Sequence, residues 1–247
     1  MSEPNSTQAP IIEAQGLTFA YPGRERLMDG LDFTLRPGER LGLVGHNGAG
    51  KTTFFLALMG LLKPQAGRVI FRGQVARSEE DFAALRRRVG LLFQNADDQL
   101  FSPTVLEDVA FGPLNLGQTP AQARETALHT LDMLNLSGFE ERITHKLSGG
   151  EKRLVALACV LAMQPEALLL DEPTSGLDPE TRERLIGILG NLPVSYVIIS
   201  HDLDFLEYTT SRLCAMERGK IDCSPRMAIH RHAHVHPHGD KPHVHHE

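Results

Sequence analysis

Gly45-His46-Asn47-Gly48-Ala49-Gly50-Lys51-Thr52, followed by Thr53, has the residue types and spacing to hold a triphosphate. Successive backbone N–H groups in such a glycine-rich turn point inward at phosphate oxygens, and side chains there would block the approach. Lys51 adds a cation for the outer phosphates, and the Thr52 hydroxyl can ligate Mg²⁺. A second set of chemistry-bearing residues lies downstream. Leu147-Ser148-Gly149-Gly150-Glu151 precedes a helical pattern, and Ala167-Leu168-Leu169-Leu170 ends in Asp171-Glu172. Asp171 can hold Mg²⁺, and Glu172 can orient or polarise an attacking water. Taken singly, the serine turn reads equally as an ordinary helix cap and the Asp-Glu pair as a solvated strand end.

The elements that must position these residues are legible nearby. Residues 40–44 read as a buried strand entering the glycine turn. Residues 51–62 read as the helix leaving it, closed by Pro64 and Gly67, with its N-terminal dipole facing the anion. The apolar run before Asp171 suits a strand buried on both faces of a parallel sheet, which leaves its carboxylates at the carboxyl edge where ligands sit. Residues 11–21 and 31–35 alternate as half-exposed strands do, and residues 68–71 join them in a small antiparallel layer. Residues 89–93 form a core strand. A helical pattern runs from about 107 to 164, including a helix opened by Pro120 and one at 152–163.

In this order and spacing the motifs resemble the ATP-binding subunits of ABC transporters, from about residue 11 to residue 227. The resemblance implies an α/β P-loop NTPase core of RecA-like type, with a small antiparallel β layer and a helical lobe inserted at about 95–165. Residues 1–10 and 228–247 would be tails. It further implies that Tyr21 stacks on adenine, that Gln94 senses Mg²⁺ and water, and that His201 contacts the γ-phosphate. Glu172, His201 and Gln94 are then the catalytic group, and Thr52, Gln94 and Asp171 surround Mg²⁺. ATP would lie between the glycine turn of one subunit and Ser148, Gly149 and Gly150 of another, in a homodimer or heterodimer, with Ser175-Gly176-Leu177-Asp178 reaching across. Glu151 departs from the glutamine commonest in the family, and a carboxylate there repels ATP unless it faces solvent or a cation such as the adjacent Lys152 or Arg153.

The stretch from Gln94 to Pro113 is similar to that of energy-coupling-factor importers, especially nickel and cobalt uptake systems. It implies transmembrane energy-coupling and substrate-binding partners. Asp98, Leu100 and Phe101 are the expected docking residues, since two apolar side chains in an acidic, turn-rich segment make a patch if exposed. The alternative is that they pack under the lobe. The tail holds His230, His232, His234, His236, His238, His243, His245 and His246. Such a string can bind nickel, cobalt, copper or zinc without a preformed cage, with affinity lost as the rings protonate.

Composition bounds the rest. The chain has 247 residues and a formal charge of −6, which gives no pull toward nucleic acid. The longest apolar stretch, residues 154–163, is far below the ~20 residues a membrane span needs. Residues 1–10 lack the basic-then-apolar order of a signal peptide. Cys159, Cys214 and Cys223 have no disulfide-framework or metal spacing, so reduced thiols are expected. These features lead to the expectation of a cytosolic protein, and the resemblance implies that partners hold it at the cytoplasmic face of a membrane. The reading is an ATPase that energises import of nickel or, next, cobalt. Rival readings are a vitamin importer of the same type, a soluble ABC-type ATPase on nucleic acid, and a metal-storage protein.

Overall fold

Fully buried strands set the architecture, because residues apolar on both faces must be covered on both sides. The computed structural model describes residues 9–224. The chain runs β1 (Ile12–Ala20), β2 (Arg26–Leu35), β3 (Arg40–Val44), α1 (Lys51–Leu58), β4 (Ala66–Phe71), β5 (Gln74–Ala76), α2 (Glu79–Arg86), β6 (Val89–Leu92), α3 (Val105–Asn115), α4 (Pro120–Met133), α5 (Gly149–Leu161), β7 (Ala167–Asp171), α6 (Pro179–Asn191), β8 (Ser195–Ile199), α7 (Leu203–Thr209), β9 (Arg212–Glu217) and β10 (Lys220–Asp222). Every residue of β7 and β8 is buried. They lie inside a six-stranded sheet of order β10-β9-β3-β8-β7-β6. Its pairings are parallel except for the β9–β10 edge. The second sheet is antiparallel, in order β2-β1-β4-β5.

Two apolar clusters hold these layers. One joins the antiparallel layer to the parallel sheet through α1, whose Phe54 and Phe55 are at most 1% exposed. Burying a side chain of that size is worth about 1.5–3 kcal/mol. The other cluster packs α3, α4 and α5 against the opposite face of the sheet. The expected small antiparallel layer and inserted helical lobe are therefore both present. The described residues include no helix long and apolar enough to cross a membrane.

Three local expectations are corrected. Helix α1 ends at Leu58, not near residue 62. Gly60, at φ 69°, stops it, and the Gly60 and Leu61 N–H groups donate to the Ala57 and Leu56 carbonyls. That left-handed turn closes the helix before Pro64 or Gly67 is reached. Helix α5 starts at Gly149, three residues before the expected start, because Ser148 caps it: its Oγ accepts from Glu151 N, and Ser148 N donates to the Glu151 carboxylate. Cys214 and Cys223 form a disulfide with Cα atoms 4.0 Å apart, and only Cys159 is a free thiol among the described residues. The β9–β10 ladder sets Asp222 opposite Ala215, so the next position brings Cys223 to Cys214. Burial pushes the Cys159 thiol strongly up, with nearby Asp108 adding to it, so it stays protonated.

Candidate active site

The parallel strands end at one edge, and their following loops build a cavity of about 840 Å³ there. It is lined by the loop from Asn47 to Thr53 and by Tyr21, Gln94, Asp171, Glu172 and His201. The sheet topology thus brings together residues spread from position 21 to position 201. Ser175 lines the cavity too. Arg24 and Asp202 also face it, and neither carries a sequence signal that would single it out.

The turn after β3 has the shape of an anion cradle. Gly50 caps α1 in the left-handed region at φ 98°, and a Cβ there would stand 3.1 Å from Leu27 Cβ. Both backbone shape and space therefore require glycine. Lys51 lies 7% exposed, and its Nζ donates to the Gly45 and His46 carbonyls at 2.7 and 3.1 Å. Burial lowers its pKa, while Glu172 and Asp171 push it back up. His46 Nδ1 sits 2.9 Å from the Asn47 carbonyl. Tyr21 is partly exposed, its ring edge-on to Phe19 at 5.0 Å and its hydroxyl 3.5 Å from Thr53 Oγ1. An aromatic face at the rim fits the expected base contact.

Asp171 is 2% exposed at the end of β7. Burial raises its pKa, against the Thr52 hydroxyl that bonds it and the Lys51 and Arg153 charges. Its Oδ1 is buried without a hydrogen-bond partner. An orphaned carboxylate oxygen beside a threonine hydroxyl, with the Gln94 amide on the same cavity, is a hard oxygen donor set of the kind Mg²⁺ takes. The residues fit the ion.

Glu172 follows in a left-handed conformation, φ 46°, which costs a non-glycine residue of order 1 kcal/mol or more and persists where surroundings enforce it. Its N–H donates to the Ile199 carbonyl. Its Oε1 lies 3.4 Å from His201 Nε2, an ion-pair distance without a hydrogen bond. Burial raises the Glu172 pKa and the His201 charge opposes this. A carboxylate so placed can accept a proton from water. Replacing His201 with Ala removes the opposing charge, so the acid limb of the ATPase pH profile should move to higher pH. A limb that stays in place would separate His201 from Glu172 titration. Asp202 holds the His201 loop, accepting from Arg182 Nε and Nη2 at 2.7 and 2.9 Å.

Gln94 follows β6, and Arg153 of α5 anchors this loop: its guanidinium donates to the Phe93 carbonyl at 2.7 Å and to the Gln94 carbonyl. Burial lowers the Arg153 pKa, and the Asp171 and Glu172 charges oppose that. Lys152 pairs with Asp97 at 2.6 Å. Neither neighbour therefore meets Glu151, whose cation is Arg142 at 2.9 Å. Asp178 caps α6 through Thr181 N.

The expected docking residues divide. Phe101 is 66% exposed and stacks edge-on with Phe111 at 4.8 Å. Leu100 instead packs against the core of the helical lobe. Asp98 is exposed and accepts from the Asn95 amide at 3.3 Å. The loop is held from inside by Asp108, 3% exposed, which accepts from the Phe101 and Ser102 N–H groups and from Thr144 Oγ1. Changing Asp108 to Ala should lower stability by about 2–4 kcal/mol, read by denaturant unfolding, since one buried and two part-buried donors lose their acceptor. The tail residues His230 to His246 lie outside the described residues, as do positions 1–8.

Of the expected nucleotide residues, Gly45 and His46 precede the lining stretch, and none of Ser148, Gly149 and Gly150 lines the cavity of its own chain. A cradle, a strand-end acid pair and a histidine around one cleft define a P-loop nucleoside triphosphatase. The ABC transporter family model matches residues 28–175, and the chain belongs to that family, as an ATP-binding and ATP-hydrolysing subunit. It is 45% identical over 215 residues to the energy-coupling factor transporter ATP-binding protein EcfA of Methanothermobacter thermautotrophicus, covering 85% of this chain and 69% of that one. It is 45% identical over 216 residues to the cobalt import ATP-binding protein CbiO of Rhodobacter capsulatus, covering 86% and 77%. Among solved structures, cbiO1 of Clostridium perfringens, part of the ABC transporter complex cbiONQ, superposes with a TM-score of 0.78 at 32% identity over 87% of this chain and 88% of that one. The dimeric ATP-binding cassette MJ0796, in a post-hydrolysis state with ADP and Pi, gives 0.78 at 25% identity over 85% and 96%.

Proposed function

We propose that this chain powers import of a transition-metal ion, nickel first and cobalt next, as the ATPase subunit of an energy-coupling-factor importer. The observation that carries the motor is the incomplete cavity. One chain supplies the cradle, Asp171, Glu172 and His201, while its own Ser148 turn faces elsewhere. A second ATPase subunit, identical or different, must cap the nucleotide. Lys51 and the loop N–H groups grip the phosphates, and Tyr21 takes the base. When bound at Thr52, Asp171 and Gln94, Mg²⁺ would neutralise phosphate charge. Glu172 takes the proton of the attacking water, and His201 steadies that carboxylate and the γ-phosphate side of the cleft.

Closure and reopening reach the membrane through Gln94, whose loop carries Phe101 and is tied to α5 by Arg153. The exposed Phe101, Phe111 and Leu114 side chains form an apolar face on the helical lobe that suits a transmembrane partner. In this reading the protein sits at the cytoplasmic face of the membrane. The metal assignment rests on the cobalt-import relative and on the histidine-rich sequence from His230 onward.

Uptake of radioactive nickel and cobalt into cells with and without this subunit tests the assignment. Loss of nickel uptake is expected, and intact uptake of both ions would move the cargo elsewhere, a vitamin being next. Removing residues 230–247 should leave transport near its full rate while lowering the nickel retained by the purified protein, because that stretch of sequence holds none of the nucleotide motifs. Loss of retention with no transport role for the subunit would favour metal storage instead.

A further inference from the structure

Glu151 puts a carboxylate into the turn that must approach the triphosphate of another subunit, and the structure accounts for how that is tolerated. Glu151 is held at two points. Ser148 N donates to its Oε2 at 2.8 Å, and Arg142 Nη1 donates to its Oε1 at 2.9 Å. Arg142 is itself fixed. Its guanidinium lies over the Phe139 ring with Cζ 3.7 Å from the centroid. Its carbonyl accepts from Val105 N at 3.1 Å, where α3 begins. The neighbouring cations are committed elsewhere, Lys152 to Asp97 and Arg153 to the Phe93 and Gln94 carbonyls. Ser148 Oγ accepts from Glu151 N, which leaves its hydroxyl proton free to donate outward.

We propose that Arg142 is a positioning residue for ATP bound by the partner subunit: it neutralises Glu151 and locks that carboxylate against the Ser148 N–H, so the Ser148 hydroxyl and the first N–H groups of α5 present donors, not negative charge, to the γ-phosphate. Without Arg142, the carboxylate stands unneutralised in the turn that meets an incoming polyanion, held only by the Ser148 N–H. A glutamine at this position needs no such cation, and the arginine offsets the departure from the family's usual residue. The inference rests on the two-subunit site proposed above.

The test uses the full chain carrying Glu172→Gln, which should accumulate ATP-bound dimers, and reads dimerisation against ATP concentration by light scattering. Adding Arg142→Ala should raise the ATP needed for half-maximal dimer by roughly tenfold, about 1.4 kcal/mol. Adding Glu151→Gln to that variant should return the midpoint to the parent value. Binding of a fluorescent ATP analogue to the monomer should not change. An unchanged midpoint in Arg142→Ala overturns the inference. So does a double variant as weak as Arg142→Ala alone, because Arg142 would then be holding the turn together and not cancelling a charge. If the parent with Arg142 intact forms no dimer at any ATP concentration, the site between two copies of this chain fails first and the inference goes with it.

Discussion

Glu172→Gln should bind ATP as well as the native chain yet hydrolyse it on the order of 10²–10⁴-fold more slowly, the contribution expected of a positioned general base. The substitution keeps the shape of the side chain. The Glu172 carboxylate is raised by burial, which brings it closer to the affinity for protons that a base needs, and His201 keeps it from rising further. An amide in that place cannot take a proton from water. It also removes a negative charge beside the γ-phosphate, so ATP should hold two subunits together longer. Single-turnover phosphate release and light scattering read both effects. Native turnover in this variant would take Glu172 out of the chemistry.

Lys51→Ala should act on binding instead. Its ammonium now donates to the Gly45 and His46 carbonyls across the mouth of the loop. Phosphate oxygens can take over those bonds as charge-assisted ones, each worth about 1.5–3 kcal/mol. Losing them should weaken ATP affinity by about 2–4 kcal/mol, roughly 30- to 1,000-fold. Titration calorimetry reads the constant, and circular dichroism checks that the fold is kept. The loss should grow less steep at high salt, since part of the attraction is long-range and screened. ATP affinity equal to that of the native chain would remove the cradle from its assigned role.

Both expectations rest on residues found in the sequence, while their detail comes from the tertiary structure. The lysine and the acid pair stood out because each belongs to a short contiguous segment. What stood out less was how those segments are held. Arg153 and Asp108 look like ordinary helical charges in the sequence. Folded, they are buried and secure the Gln94 and Phe101 loop from two sides. Leu100 and Phe101 are adjacent and similar in polarity, yet one packs inward and the other faces solvent. Their orientation follows from how the loop meets α3 and the core of the helical lobe, which the types of the two residues do not state.

The glycine turn after a strand, the strand-end carboxylates and the alternation of strands and helices were determined by the sequence alone, because each is a local arrangement of backbone groups that only certain neighbouring residues permit. The tertiary structure decided the rest. It brought Arg24 and Asp202 to the cavity, set Cys223 against Cys214, gave Glu151 its partner Arg142 in place of adjacent cations, and left the Ser148 turn outside its own chain's cleft. Such pairings depend on strand register and on how separate elements pack, at nine positions' distance for Cys214–Cys223 and Arg142–Glu151 as much as at long range for the cavity, and the spacing within one element does not encode them.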